Sequence, residues 1–180
     1  MPDILQGCRE QGLDIHLTIV GEGPDGPPLA QALRDRGVSP LVRMAGMLPP
    51  EQIYPQLLQA QVMIMPSSFE GLPIALLEAL ACGCVPVVSD LPGITSYAVE
   101  NGVTGRLVPV GDIKGFVQAV VELARNPGTW QRMSAAAHAA AGQRFSVETM
   151  GAAYRKLIEQ GVDGDYPLPV PRRWQLPIDV

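Results

Sequence analysis

The stretch "QVMIMPSSFEGLPIALLEALACGCVPVVSD", Gln61–Asp90, reads as strand, helix and strand in immediate succession. "QVMIMPS" is a continuous apolar run, not an alternating one, as in a strand covered on both faces. A chain-reversing Gly71-Leu72-Pro73 follows. Pro73 opens and Gly83 stops the helix "PIALLEALACG". "VPVVSD" (Val85–Asp90) is the next strand. Two strands joined through a helix lie parallel with a right-handed crossover, and this sets the class as α/β.

The same alternation extends in both directions. Upstream, "IHLTIVG" (Ile15–Gly21) and "LVRMAG" (Leu41–Gly46) are strands, with a helix at Pro27–Gly37 between them. A further helix at Pro49–Ala60 is bent at Pro55. Downstream, "GRLVPV" (Gly105–Val110) is a strand. Helices follow at Ile113–Asn126, capped by Asp112, at Thr129–Phe145, and at Ser146–Gln160, capped by Ser146. Residues 1–160 thus form one domain. Residues 161–180, with Pro167, Pro169, Pro171 and Pro177 and no period, read as an extended tail.

Composition bounds the function. Of 180 residues, 47% are apolar, enough for a real core. A net charge of −5 argues against nucleic acid or an anionic membrane surface as the main partner. No run of about 18 apolar residues predicts a membrane span, and "MPDILQGCREQG" has no signal-peptide pattern. Three cysteines, Cys8, Cys82 and Cys84, are too few for a disulfide framework, and a reducing cytoplasm is expected. Cys82-x-Cys84 is not zinc spacing, so no metal is expected.

The two acids of the opening stretch carry the chemistry. In an open parallel sheet, ligands sit at the carboxyl ends of the strands. There the amides of Leu72, Ile74 and Ala75 begin a helix without intrahelical partners, and Gly71 allows close approach; together they suit an anion. Glu70, at the mouth, suits neutral hydroxyls beside that anion. Glu78, about one and a half turns in, suits a second hydroxyl pair such as a ribose diol. Hydroxyl, anion and ribose together describe a nucleotide sugar. The plain alternative is that Glu70 is only a dipole partner and Glu78 only faces solvent.

"SSFEGLPIALLEALACGCVPVVSD" and "NGVTGRLVP" resemble the C-terminal, donor-binding domain of the retaining group 1 glycosyltransferases of the GT-B fold. "LTIVGEGP" (Leu17–Pro24) resembles that family's earlier strand and glycine loop, and the likeness runs from about Asp3 to Gln160. It implies a Rossmann-like parallel sheet with flanking helices. It also implies an E-x7-E pair: Glu70, the catalytic-site acid, on the donor sugar and Glu78 on the ribose. The amides of Gly71, Leu72 and Ile74 would hold sugar and diphosphate, with Met44 and Gly46 beside the base and Gly21 and Gly23 in the glycine loop. The implied reaction is metal-independent transfer of a sugar from a UDP, GDP or ADP donor to an acceptor hydroxyl, with retention and no cofactor.

The sequence departs from that pattern in three ways. "MPDILQGCREQGLDIHL" looks like the end of the family's first helix. The preceding strand and the Arg and Lys that neutralise the diphosphate are absent, which leaves two outcomes open: the strands at Ile15–Val20 and Val62–Met65 pair directly, or a gap between them is filled by something else. The acceptor-binding N-terminal domain is also absent; His16, inside a strand, and His138, on a surface helix, are not expected to replace its histidine. Finally, Ser96 stands where the family carries an acid after Gly-Gly-x-Pro.

Three function classes follow. The first is a donor-binding glycosyltransferase domain, inactive without an acceptor domain. The second is a non-catalytic assembly module, docking on a second copy or a partner through a tail carrying Arg172, Arg173 and Trp174. The third, a dinucleotide oxidoreductase, is disfavoured because no G-x-G-x-x-G opens a strand–helix unit. Asp163-Gly164-Asp165 lacks a preceding strand and is discounted as a metal motif.

Overall fold

A computed structural model describes residues 1–163. They fall into two units, one up to Gln143 and one from Arg144 onward, each taken by itself. In chain order the first unit holds α1 (Pro2–Glu10), β1 (Leu17–Val20), α2 (Gly26–Asp35), β2 (Val42–Gly46), α3 (Pro50–Gln59), β3 (Val62–Met65), α4 (Ile74–Ala81), β4 (Val85–Ser89), α5 (Thr95–Ala98), β5 (Arg106–Val108) and α6 (Ile113–Arg125). It closes with α7 (Pro127–Arg144). The second unit is α8 (Val147–Asp163), capped as expected by Ser146, whose Oγ accepts the Thr149 amide at 3.1 Å. Helix α8 extends three residues into the stretch read as tail; residues 164–180, with most of that stretch and Gly164-Asp165, lie outside the described residues.

All strand pairs are parallel, as the crossover pattern requires. They form two sheets, β1-β2 and β3-β4-β5. Strands β1 and β3 do not pair; a cavity of about 470 Å³ lies between them. Direct pairing is therefore excluded, and the gap is an open slot. This corrects the reading of Gln61–Ser67 as a strand covered throughout. All four residues of β3 are only half-buried, whereas all five of β4 are buried. Strand β1 also starts two residues later than expected. His16 precedes it, exposed and 3.8 Å from Asp14, so it is not a strand-packed side chain.

The core explains the order of elements. Cys8 and Ile4 of α1 pack with Val85 and Val87 of β4, Val108 of β5 and Phe116 of α6. Leu5, on the next face of α1, packs instead with Leu33 and Val38 beside β1 and β2. Helix α1 thus straddles both sheets. Asp112 caps α6 as expected, accepting the Gly115 amide at 2.9 Å. Trp130 of α7 donates its indole N–H to the Gln61 carbonyl at 2.9 Å, fixing the start of β3.

Candidate functional site

Strand β3 ends at Met65 and hands the chain to the loop that carries Glu70. Glu70 is half-buried and held: the Ser67 hydroxyl donates to its Oε1 at 2.7 Å. Pro73 is the N-cap of α4, with no side-chain cap, and its carbonyl accepts the Leu76 amide at 3.0 Å. The amides just before and inside that turn, Gly71, Leu72, Ile74 and Ala75, donate to no other group among the described residues. All four residues are exposed, Ile74 by 62% despite its apolar side chain. Exposed, unpartnered donors and the positive end of a helix dipole therefore follow directly in the chain on a carboxylate held by Ser67.

Glu78 lies one turn into α4 and is half-buried, so it is not a purely solvent-facing acid. Its charge is felt one turn on: burial, and then the Glu78 carboxylate, push the Cys82 thiol up. The far end of α4 is pinned from α7. His138 Nδ1 lies 2.6 Å from the Ala81 carbonyl, and Ser134 donates to the Gly83 carbonyl at 2.7 Å. His138 is thus a helix-end ligand, a more specific role than a solvated face.

The remaining expected residues sit at the carboxyl ends of β1 and β2. The Gly21 amide donates to the Gly46 carbonyl at 2.8 Å, joining the two loops. Met44 is exposed on β2. The Gly23 carbonyl accepts the Gly26 amide at 3.0 Å, which makes it a turn residue. The residues around Glu70 and those around Gly46 thus lie at the ends of different sheets, and among the described residues no hydrogen bond joins the two groups.

Two contributors went unnoticed in the sequence. Ser67 orients Glu70, and the Ser-x-x-Glu spacing was available to suggest it. Glu22, between the two loop glycines, accepts the Met47 amide at 3.3 Å; its place between glycines gave no signal. Ser96, in place of an acid, closes its own loop by accepting the Gly93 amide at 2.9 Å. "NGVTGRLVP" is structural: Asn101 Oδ1 accepts the Leu107 amide at 3.1 Å, and Thr104 Oγ1 the Glu100 amide at 2.8 Å. Among the described residues, no three His, Cys, Asp or Glu side chains group as metal ligands, and no helix is long and apolar enough to cross a membrane.

A family model described as Glycosyl transferases group 1 matches residues 1–126. The chain is 30% identical over 164 residues to the amylovoran biosynthesis glycosyltransferase AmsK of Erwinia amylovora, covering 86% of this chain and 39% of that protein. It is 36% identical over 143 residues to the D-inositol 3-phosphate glycosyltransferase of Kribbella flavida, covering 77% of this chain and 34% of the relative. The chain therefore spans well under half the length of these relatives. Its fold matches Staphylococcus aureus TarM, solved with UDP, with a TM-score of 0.80 at 17% identity, over 87% of this chain and 31% of that one. It matches Anabaena Alr3699/HepE, solved with UDP and glucose, with a TM-score of 0.78 at 21% identity, over 87% and 44%. The Rossmann-like, parallel α/β architecture expected for the C-terminal half of a GT-B enzyme is the architecture observed, and the chain belongs to the group 1 glycosyl transferases.

Proposed function

We propose that this chain is a donor-binding domain for a nucleotide-diphosphate sugar, serving retaining transfer to an acceptor hydroxyl that a second domain presents. The carrying observation is the set of unpartnered amides at Gly71, Leu72, Ile74 and Ala75 beside the Ser67-held Glu70. These donors suit the diphosphate and the sugar oxygens, and they offset the leaving group's charge without a metal or other cofactor. Glu70 takes the sugar hydroxyls, Glu78 of the E-x7-E pair takes the ribose diol, and Met44 and Gly46 flank the base, with Gly21 and Gly23 shaping the adjoining loop. Catalysis in such a site is positioning plus electrostatics, so it needs both domains closed on the substrates. The sparse, unpaired cysteines fit a cytoplasmic reaction.

Calorimetric titration with UDP, GDP and ADP tests this. One of the three binds, and Glu78→Ala weakens it by about ten- to a hundredfold, the loss of a charge-assisted hydrogen-bonded pair. Silence from all three nucleotides with a folded chain refutes the reading. The second reading, an assembly module, is favoured by the open slot between β1 and β3 and predicts association without nucleotide binding.

A further inference from the structure

The loops after β1 and β2 meet in a contact that leaves one polar group over. The Gly46 carbonyl accepts the Gly21 amide at 2.8 Å, and the Met47 amide donates to Glu22 Oε1 at 3.3 Å. Two backbone groups by which the loop after β2 could read a ligand's edge are thereby engaged. Glu22 is exposed, and among the described residues its Oε2 takes no hydrogen bond and forms no ion pair. Oε1 itself keeps a second lone pair beside the Met47 amide. The carboxylate, pinned by one oxygen, is the acceptor these loops have left to offer.

Apolar side chains stand exposed on the same strand ends and loop. Met47 is 72% exposed, Met44 of β2 42%, and Val20, in register with Gly46, 39%. Polarizable methionine thioethers suit a flat aromatic ring. A fixed carboxylate suits a ring edge that carries donors and rejects an edge that carries lone pairs.

The three candidate bases differ at that edge. Guanine offers a ring N–H and a 2-amino N–H side by side, a pair that two carboxylate oxygens accept together, as they do from a guanidinium fork. Uracil offers one N–H between two carbonyl oxygens. Adenine offers an amino group beside a bare ring nitrogen. Each of the last two sets a lone pair against the carboxylate. We propose that Glu22 selects the base of the donor, accepting the ring N–H and the 2-amino group of guanine, so that the donor is a GDP-sugar. This rests on the donor-site reading above and narrows it.

Calorimetric titration of the full chain with GDP, IDP, UDP and ADP tests it. IDP is GDP without the 2-amino group. The native chain should bind GDP roughly tenfold more tightly than IDP, the loss of one hydrogen bond to a charged group, and UDP and ADP more weakly than GDP. Glu22→Gln removes the charge and turns one acceptor into a donor, while its carbonyl can still take the Met47 amide. It should erase the difference between GDP and IDP and leave the urea midpoint in place. Equal binding of GDP and IDP to the native chain, or tighter binding of UDP or ADP than of GDP, overturns the proposal and leaves the donor-site reading standing. So does a GDP–IDP difference that persists in Glu22→Gln, since another group then reads the 2-amino group, and so does an equal loss for all four nucleotides, since Glu22 then only staples the loops. Silence from all four with a folded chain overturns both readings. The GDP–IDP comparison needs no variant, so it decides even where Glu22→Gln unfolds.

Discussion

Glu22 and Gly46 meet where the loops after β1 and β2 close on each other. Gly46 has φ of +67°, and a Cβ there would lie 3.0 Å from Glu22 Oε1. That carboxylate also accepts the Met47 amide, and the Gly46 carbonyl accepts the Gly21 amide. The loop after β2 is thus shaped by one acid and one glycine. Gly46→Ala is expected to cost about 1–2 kcal/mol from left-handed strain alone, with the Glu22 contact added. In a Glu22→Ala background the contact is gone and only the strain remains. A urea double-mutant cycle should therefore show a smaller cost for Gly46→Ala in that background. Equal costs in both backgrounds would mean that Glu22 does not constrain the loop.

At the scale of elements, "NGVTGRLVP" illustrates what a motif can hide. Gly105 precedes β5 where it passes β4, and a Cβ there would sit 2.6 Å from the Pro86 carbonyl oxygen and 2.9 Å from Val99 Cγ1. The carbonyl is backbone, so it yields only if the two strands part. Gly105→Ala should destabilise by about 1–3 kcal/mol, the range for overpacking. Gly23→Ala has nothing within 4 Å and should stay within about 0.5 kcal/mol. Chemical denaturation separates the two; a neutral Gly105→Ala would show that β4 and β5 tolerate wider spacing. The elements themselves were largely legible, because proline starts, glycine stops and apolar runs are local signals. Helix α5 was missed because Thr95–Ala98 is a single turn with no period to read. The half-buried state of β3 was missed because it depends on what does not lie beside it, and no residue within β3 encodes that. Glu70 and Glu78 were legible as a spaced pair, while Glu22 and Ser67 act through backbone and side-chain contacts that only the fold creates.

The whole first unit depends on a core that contains two thiols. Cys8 of α1 and Cys84, just before β4, are fully buried. Burial pushes the Cys8 thiol up to about 11. Burial, and then neighbouring Cys82, push Cys84 up to about 12. In the unfolded chain both return to an ordinary value near 9. Below pH 9 both states hold these protons and stability is flat with respect to them. Between pH 9 and about 11 to 12 the unfolded chain releases protons that the fold retains, so stability falls as pH rises, by at most about 1.4 kcal/mol per pH unit for each thiol. Tyrosines and lysines titrate in the same window, so the diagnostic is the difference between proteins rather than the fall itself. Urea midpoints taken from pH 8 to 11 should drop more steeply for the native sequence than for Cys8→Ala, with the two curves parallel below pH 9. Identical slopes throughout would mean that the interior around α1 admits water readily, and that the helix bridging the two sheets is looser than its packing with Val85, Val87 and Phe116 implies.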